Sequence, residues 1–400
     1  MNRRISLGAA ISFMAVVAAI TFTITMIFSQ NIFNDKVYNV KEREELYKKV
    51  AEIDHLIRQN YVGELDETHL LDQVSNGFVD GSDDPYAAYY DAATYSRLQS
   101  IREGRLVGIG AGLSRDESGY YRVNEVYAGS PAEQAGLLQN DLIVAVEGQD
   151  AKTAGYTKTA ELLMGEPGTS VVVTIRRDSV DSDVTVLRKS FEVPVVTMTM
   201  MDSNAYIRIT SFSSAAVEQF QKIMNDIAAE GEAVTGIIFD VRNTRSGDLD
   251  SASDILDMLL PAGDLYSASY KDGTTELLRR SDTNEVTLPM VTIINSKTQY
   301  AAELFAADLR DYGKSKLVGV NTYGQGLMQE EYQLKDGSCV VLSNAQFMPA
   351  VSANFNGVGL VPDYETALSV DDEKKLSYDQ LLPANDTQLS KAVEVLEAAK

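Results

Sequence analysis

The run Gly236-Ile237-Ile238-Phe239-Asp240-Val241-Arg242-Asn243 constrains the fold of this chain more than any other stretch. Consecutive apolar residues without polar alternates cannot make a strand with one wet face. The segment therefore reads as a strand buried on both sides, as in the sheet of an α/β fold. Its polar end matters equally, because open α/β sheets deliver working groups where strands leave the sheet at their carboxyl ends. The preceding segments agree with this reading. Ala205 to Phe212 alternates as a strand, and Ala215 to Ile227 has helical spacing.

At 400 residues and 44% hydrophobic content, the chain has material for two or three cores, so several domains are expected. Its 58 acidic and 35 basic residues leave a net charge of −23. Such a chain is repelled by nucleic acid and by anionic membrane surfaces, and no Lys/Arg cluster offsets this locally, which excludes nucleic acid as a partner. The single cysteine, Cys339, leaves no intramolecular disulfide and no Cys-rich metal site. It lies in the apolar run Cys339-Val340-Val341-Leu342 and reads as a buried strand thiol. His55 and His69, the only histidines, read as surface or helix-packing residues, so a Ser-His-Asp triad or a histidine-rich zinc site lacks material. No metal and no cofactor is expected.

Arg3 and Arg4 precede an uncharged run from Ile5 to Phe28, long enough to cross a hydrocarbon core of about 30 Å. The arginines place the N-terminal side in the cytoplasm and the bulk of the chain outside it. Ile27-Phe28-Ser29-Gln30 puts bulky residues where a signal peptidase requires small ones. The run therefore reads as an uncleaved, single-pass signal anchor in the cell membrane. Residues 33 to 60 are rich in Lys and Glu, with Val40, Leu46, Val50, Ile53 and Ile57 at helical spacing, which predicts an amphipathic stalk. Asp66 is placed to cap a second helix, Glu67 to Phe78.

From Gly108 to about Val193 several signals follow in order. Gly108-Ile109-Gly110-Ala111-Gly112-Leu113 opens a strand, Tyr120 to Val126 alternates, and Gly129 to Leu137 makes a short helix ended by glycine. Asp141 to Gly148 comes next, and Val171 to Ile175 closes as a strand. The series resembles a PDZ domain. The resemblance implies that backbone N–H groups of Gly108, Ile109, Gly110, Ala111, Gly112 and Leu113 receive a peptide's terminal carboxylate while the peptide adds a strand. Ile109 or Leu113 then lines a pocket for the last side chain. The alternative is that these glycines only make a tight strand entry.

Farther on, Asn295-Ser296-Lys297-Thr298-Gln299-Tyr300-Ala301-Ala302-Glu303-Leu304-Phe305 is followed by Thr322-Tyr323-Gly324-Gln325-Gly326-Leu327-Met328-Gln329. Both resemble the catalytic segments of carboxyl-terminal processing (tail-specific) serine proteases. Those read roughly Asn-x-x-Ser-Ala-Ser-Ala-Ser-Glu-Ile-x-Ala-Gly and Thr-Phe-Gly-Lys-Gly-x-x-Gln. The likeness runs from Tyr61 to Asp363 and implies a crotonase-like β/α core. Set on Asn295, Glu303 and Gly324-x-Gly326, it implies that Tyr300 stands for the nucleophilic serine and Gln325 for the general-base lysine. It also implies that the supporting glutamine is kept as Gln329. A serine attacks only when a neighbouring base takes its proton, and in a Ser-Lys pair that base is a lysine held neutral by burial. Gln325 has no basic nitrogen, and Tyr300 carries its oxygen at the end of a rigid ring, so it fills the site rather than attacks. A shift of two residues moves the nucleophile to Ala302 or to Thr298, which keeps a hydroxyl but no lysine.

The resemblance implies that the oxyanion region falls on Gly247 and Ala301. There Thr244-Arg245-Ser246-Gly247 stands where the family has Asn-Pro-Gly-Gly, with one of the two glycines lost. Ser251-Ala252-Ser253-Asp254-Ile255-Leu256 imitates the serine signature but lies where the family has a plain helix, and it reads as an N-cap with the first helical turn.

These readings make an α/β and α+β multidomain chain. It has a transmembrane helix at 1–30, a helical region at 31–104, a PDZ domain at 105–193, a protease-like α/β domain at 194–365 and a C-terminal helical tail at 366–400. Two functions compete. One is a membrane-anchored, catalytically inactive homologue binding polypeptide C-termini or a protein partner, with homo- or hetero-oligomers allowed. The other is an active serine endopeptidase cutting near C-termini with a non-standard nucleophile such as Thr298 or Ser296. General-base assistance is commonly worth about 10²- to 10⁴-fold, so its loss weighs against the second. A reporter joined after Lys400 is expected to be active only outside the cytoplasm. Activity confined to the cytoplasm, or a mature chain beginning after residue 28, contradicts the anchor.

Overall fold

The structure, a computed structural model, describes residues 7–36, 40–102, 105–282 and 285–400. Arg3 and Arg4, which set the expected membrane orientation, and the start of the apolar run at Ile5 lie outside the described residues. The chain divides into two compact units between Leu71 and Asp72. The first holds the helix Leu7–Lys36, whose stretch Ser12–Ser29 is long and apolar enough to cross a membrane. It also holds the helix Val40–Asn60, on which Leu46, Val50 and Ile53 are exposed. Asp66 accepts the His69 N–H at 3.0 Å, as its capping role requires, and heads the helix Glu67–Asp80. His55 and His69 are exposed.

The centre of the second unit is a six-stranded sheet in the order Val196–Met201, Asn204–Ile209, Gly236–Asp240, Met290–Ile294, Ser315–Gly319, Tyr364–Glu365. Only the first pair is antiparallel. All five residues of Gly236–Asp240 are buried, as the apolar run predicts. With a side-chain period of two, Ile237 and Phe239 face the helices Ser214–Glu230, Leu249–Asp257 and Ala301–Asp311, meeting Phe220, Leu256 and Phe305. Ile238 points the other way, with Val291, Ile293 and Val318, onto Leu389, Ala392, Val395 and Leu396 of the helix Thr387–Ala399. Residues 387–399, within the segment read as a tail, thus form one layer of this core.

Charge fixes that layer. The Arg242 guanidinium, buried, reaches Asp240 at 2.6 Å, Asp386 at 2.7 Å and Gln388 at 3.0 Å. Burial alone raises the Asp240 carboxyl, and Arg242 outweighs it, holding the group below its ordinary range.

A second sheet carries Gly263–Tyr270, Thr275–Ser281, Leu327–Gln333 and Cys339–Met348. Its edge Ala88–Tyr90 comes from the region read as helical, pairing Ala88 with Val341 and Tyr90 with Cys339. Cys339 is fully buried in its strand, and burial pushes its thiol up.

The strands Ala111–Arg115, Tyr121–Val126, Leu142–Val146, Ser170–Arg177 and Val180–Leu187 lie side by side in that order around Val123, Leu137, Ile143 and Val173. The single strand expected from Gly108 to Leu113 is corrected to two. Gly108 ends one strand, paired with Lys189, and Ala111 begins another after a turn at Gly110, whose φ is 76°. A Cβ at Gly110 would lie 2.5 Å from that of Ser130, so only glycine fits this turn. The N-cap expected within Ser251–Leu256 is also corrected. Asp248 caps the helix, its carboxylate accepting the Ser251 N–H at 2.7 Å, because the chain leaves the short strand Ser246–Gly247 there.

Asp308 on the helix Ala301–Asp311 is fully buried. Its Oδ1 accepts the Ala350 N–H at 2.9 Å, while Oδ2 has no partner among the described residues. Burial holds its pKa well above the ordinary carboxylate range. The folded state therefore binds this proton more tightly than the unfolded state, and stability falls as pH rises from the ordinary range through the raised value. Asp308→Asn keeps the acceptor for Ala350, so it is expected to flatten that fall and to raise the thermal midpoint above neutral pH. Parallel midpoint-versus-pH curves for the two proteins contradict this.

Candidate functional site

The ends of neighbouring parallel strands build the site. Asn243 and Asn295 exchange hydrogen bonds, Asn243 N–H to Asn295 Oδ1 and Asn295 Nδ2 to Asn243 Oδ1, each at 3.0 Å. Thr298 braces this join. Its buried hydroxyl donates to the Val241 carbonyl and accepts the Asn295 N–H, both at 2.9 Å. Ser296 is exposed. Gln299 N–H donates to the Thr244 carbonyl at 3.0 Å, bringing the loop Thr244 to Gly247 alongside.

The chain then turns sharply into the helix Ala301–Asp311 at Tyr300, whose φ is 55° and ψ −110°. A non-glycine residue in such a region stores about 1–3 kcal/mol of strain. A strained strand-to-helix turn is also the geometry that lifts a nucleophile clear of the backbone in α/β hydrolases.

Glu303 holds the strain in place. Fully buried, its carboxylate accepts the N–H of Tyr300 at 3.0 Å, Gly324 at 2.7 Å and Gln325 at 2.8 Å, and the Thr322 hydroxyl. The Thr322 oxygen in turn accepts the Leu360 N–H at 2.7 Å. Burial pushes the Glu303 carboxyl up, and the four donors pull it only partly back. Gly324 has a φ of 92°, and a Cβ there would lie 2.8 Å from the Gly359 nitrogen, so the loop beside Glu303 needs glycine.

Gln325, Gln329 and Tyr300 do come together. Gln299 Nε2 donates to Gln325 Oε1, and Gln325 Nε2 to Gln329 Oε1 at 2.6 Å. Gln329 Nε2 donates to Ser343 Oγ at 3.2 Å, and the Ser343 hydroxyl to Asp84 at 2.9 Å. The chain ends on the Asp84 carboxylate, and the carboxamide of Gln325 carries no basic nitrogen that could take a proton from the Tyr300 hydroxyl. The Tyr300 ring lies edge-on to Phe347 with centroids 5.7 Å apart, and its oxygen accepts the Gln329 N–H at 3.3 Å. Burial raises the phenol far above neutral, so it stays protonated.

Of the other expected positions, Ala301 opens the helix and is buried. Gly247 pairs with Phe212, with a φ of 132° that leaves a Cβ 2.4 Å from the Phe212 carbonyl oxygen. Ala302 is buried within the helix. Sequence reasoning missed the working role of Glu303, whose one signal is its N3 spacing from Tyr300 as in a capping box, and it missed Gln299, Ser343 and Asp84. Among the described residues, no group of three His, Cys, Asp or Glu side chains could hold a metal ion.

In the glycine-rich turn, the carbonyls of Ile109 and Gly110 accept the N–H of Ala132 at 2.6 Å and Tyr127 at 3.1 Å. Among the described residues, nothing accepts the N–H groups of Ile109 and Gly110. Ala111, Gly112 and Leu113 continue into a strand at the sheet edge.

Glu303→Gln tests the keystone. Either amide orientation turns an NH₂ toward two donors, so the variant is expected to lose about 2–3 kcal/mol in denaturant unfolding. A change within the error of the fit removes Glu303 from this role.

Residues 203–366 match peptidase family S41, residues 122–177 match a PDZ domain, and residues 6–94 match the N-terminal domain of the activating protease CtpB. The chain is 27% identical over 393 residues to the carboxy-terminal processing protease CtpA of Bacillus subtilis (strain 168), covering 97% of this chain and 83% of that one. It is 27% identical over 322 residues to a carboxyl-terminal-processing protease of Synechocystis sp. (strain ATCC 27184 / PCC 6803 / Kazusa), covering 78% and 74%. A solved structure assigned to the S41 proteases, from Bacteroides fragilis NCTC 9343, shares the fold with a TM-score of 0.55, at 19% identity over 87% of this chain and 97% of that one. With a PDZ module joined to an S41 core and relatives of that name along nearly its whole length, this chain belongs to the carboxyl-terminal processing protease family.

Proposed function

We propose that this chain is a membrane-anchored, catalytically silent member of its family that binds polypeptide C-termini, or a protein partner, through its PDZ module. One observation carries the reading. The strained turn at the head of the helix Ala301–Asp311 bears a half-buried phenol, and the side chain of Gln325 beside it is a carboxamide tied into a chain of carboxamides. Acyl transfer needs a hydroxyl or thiol and a base to activate it. Tyr300 stands where the serine is expected and Gln325 where the lysine is expected, so both are missing in this reading.

The competing hydroxyls fare no better. Thr298 already donates to Val241 and accepts from Asn295, and Lys297, the lysine nearest it in sequence, donates to Ser377 at 2.9 Å. Binding is supported by the two unengaged N–H groups at Ile109 and Gly110 and by the free edge of Ala111–Arg115 next to them. Anchoring is supported by the exposed apolar stretch Ser12–Ser29.

The test is a cleavage assay with unfolded protein and tail peptides, run beside an active relative. Hydrolysis is expected to stay at the level of the protein-free control. Turnover that disappears on Thr298→Ala or Ser296→Ala overturns the reading.

A further inference from the structure

A cavity of about 600 Å³ opens between the outer face of the PDZ hairpin and the first strands of the core sheet. Leu113, Glu125 and Tyr127 line it from the hairpin, Arg208 from the sheet, and Leu376 and Asp379 from the C-terminal segment. The positive charge of Arg208 is engaged by Asp379. The Glu125 carboxylate makes no hydrogen bond or ion pair among the described residues. The Glu125 carboxylate therefore lies beside the Arg208–Asp379 pair without a hydrogen-bonded partner of its own, in a cavity lined by both polar and apolar side chains.

Glu125 reaches this cavity because of a local irregularity. Tyr121 and Val123 point into the core of the module. The register shifts between Gly112 and Leu113, where Gly112 pairs with Glu125 and Leu113 with Val123. The extra residue leaves both Asn124 and Glu125 on the outer face. The strand Ala111–Arg115 on the other arm of this hairpin has a free edge, which begins where the unengaged N–H groups of Ile109 and Gly110 end.

A peptide that placed its carboxylate on those N–H groups and ran antiparallel along Ala111–Arg115 would pass this cavity. Strand side chains alternate, so the terminal side chain and the one before it point to opposite faces. If the terminal one enters the module, the residues one and three places earlier face Glu125. We infer that Glu125 selects a lysine or arginine at one of these alternate positions of a bound C-terminal peptide. The aliphatic stem of such a residue suits Tyr127 and Leu376, and its cation suits Glu125 beside Asp379. The inference rests on the proposal that the module binds peptide C-termini.

The experiment measures binding of labelled peptides to the full chain in detergent micelles, with lysine, alanine or glutamate placed in turn along the last few positions. Amidated peptides serve as the control for terminal capture. Lysine at an alternate position is expected to bind about fivefold tighter than alanine, with glutamate weaker than both and the preference shrinking as salt rises. Glu125→Gln should abolish the preference and Glu125→Lys should invert it. If free-carboxylate peptides bind and amidated ones do not, but the scan is flat, selection by Glu125 is wrong and peptide capture stands. If no peptide binds, or free and amidated peptides bind alike, both the selection and the capture beneath it are overturned.

Discussion

A buried carboxylate without compensation is among the most costly groups a core can hold, and Glu303 sits in this core fully out of water. It is tolerated because three backbone N–H groups and one hydroxyl converge on its two oxygens. Those donors come from two separated stretches, the turn at Tyr300 and the loop Thr322 to Gln325. One side chain therefore fixes the strained turn, the start of the helix Ala301–Asp311 and the position of Gln325 together. Lying in the first turn of its helix, the charge also meets the favourable end of the helix dipole. The frame built around Glu303 rests on backbone N–H groups at Tyr300, Gly324 and Gln325 and does not depend on which side chains project from Tyr300 and Gln325.

The same economy appears one strand away. Arg242 joins Asp240 at the end of the central strand to Asp386 and Gln388 at the start of the C-terminal helix. The next residue, Asn243, is clasped to Asn295. The back layer of the sheet and the front of the site thus share one strand end. A buried ion pair of this kind contributes little net stability compared with an apolar replacement, while loss of one partner is costly. Its effect here is to place the helix Thr387–Ala399 in one register over Ile238, Val291 and Val318.

Local patterns made much of this legible. Gly236–Asp240 announced itself by its apolar run, Asn204–Ile209 by alternation, and the PDZ module by the order of its pieces. Contacts distant in sequence left no such trace. Leu389, Ala392 and Leu396 show that the last helix has an apolar face but not which sheet receives it. Nothing in Asp84 foretells that it receives the N–H and hydroxyl of Ser343. A buried Glu303 or Asp308 looks in sequence like any polar residue of an amphipathic helix, since burial of a charge is decided by what folds over it. The cap at Asp248 was misplaced because Asp248 and Ser251 are both good capping residues, and the choice depends on where the strand Ser246–Gly247 releases the chain.

A phenol at the strained turn, a carboxamide on the facing loop and a PDZ module with a free strand edge fit the proposed work of capture rather than cleavage. An activated peptidyl ester gives the most direct test, because it acylates a competent nucleophile far more readily than an amide and reports even a crippled one. Stopped-flow release of the ester's leaving group, followed by intact mass of the protein, should show no stoichiometric burst and no acyl adduct, while an active relative shows both. A burst of about one equivalent, with the acyl group mapped to Ser296, Thr298 or Ser343, would contradict the silence of this site.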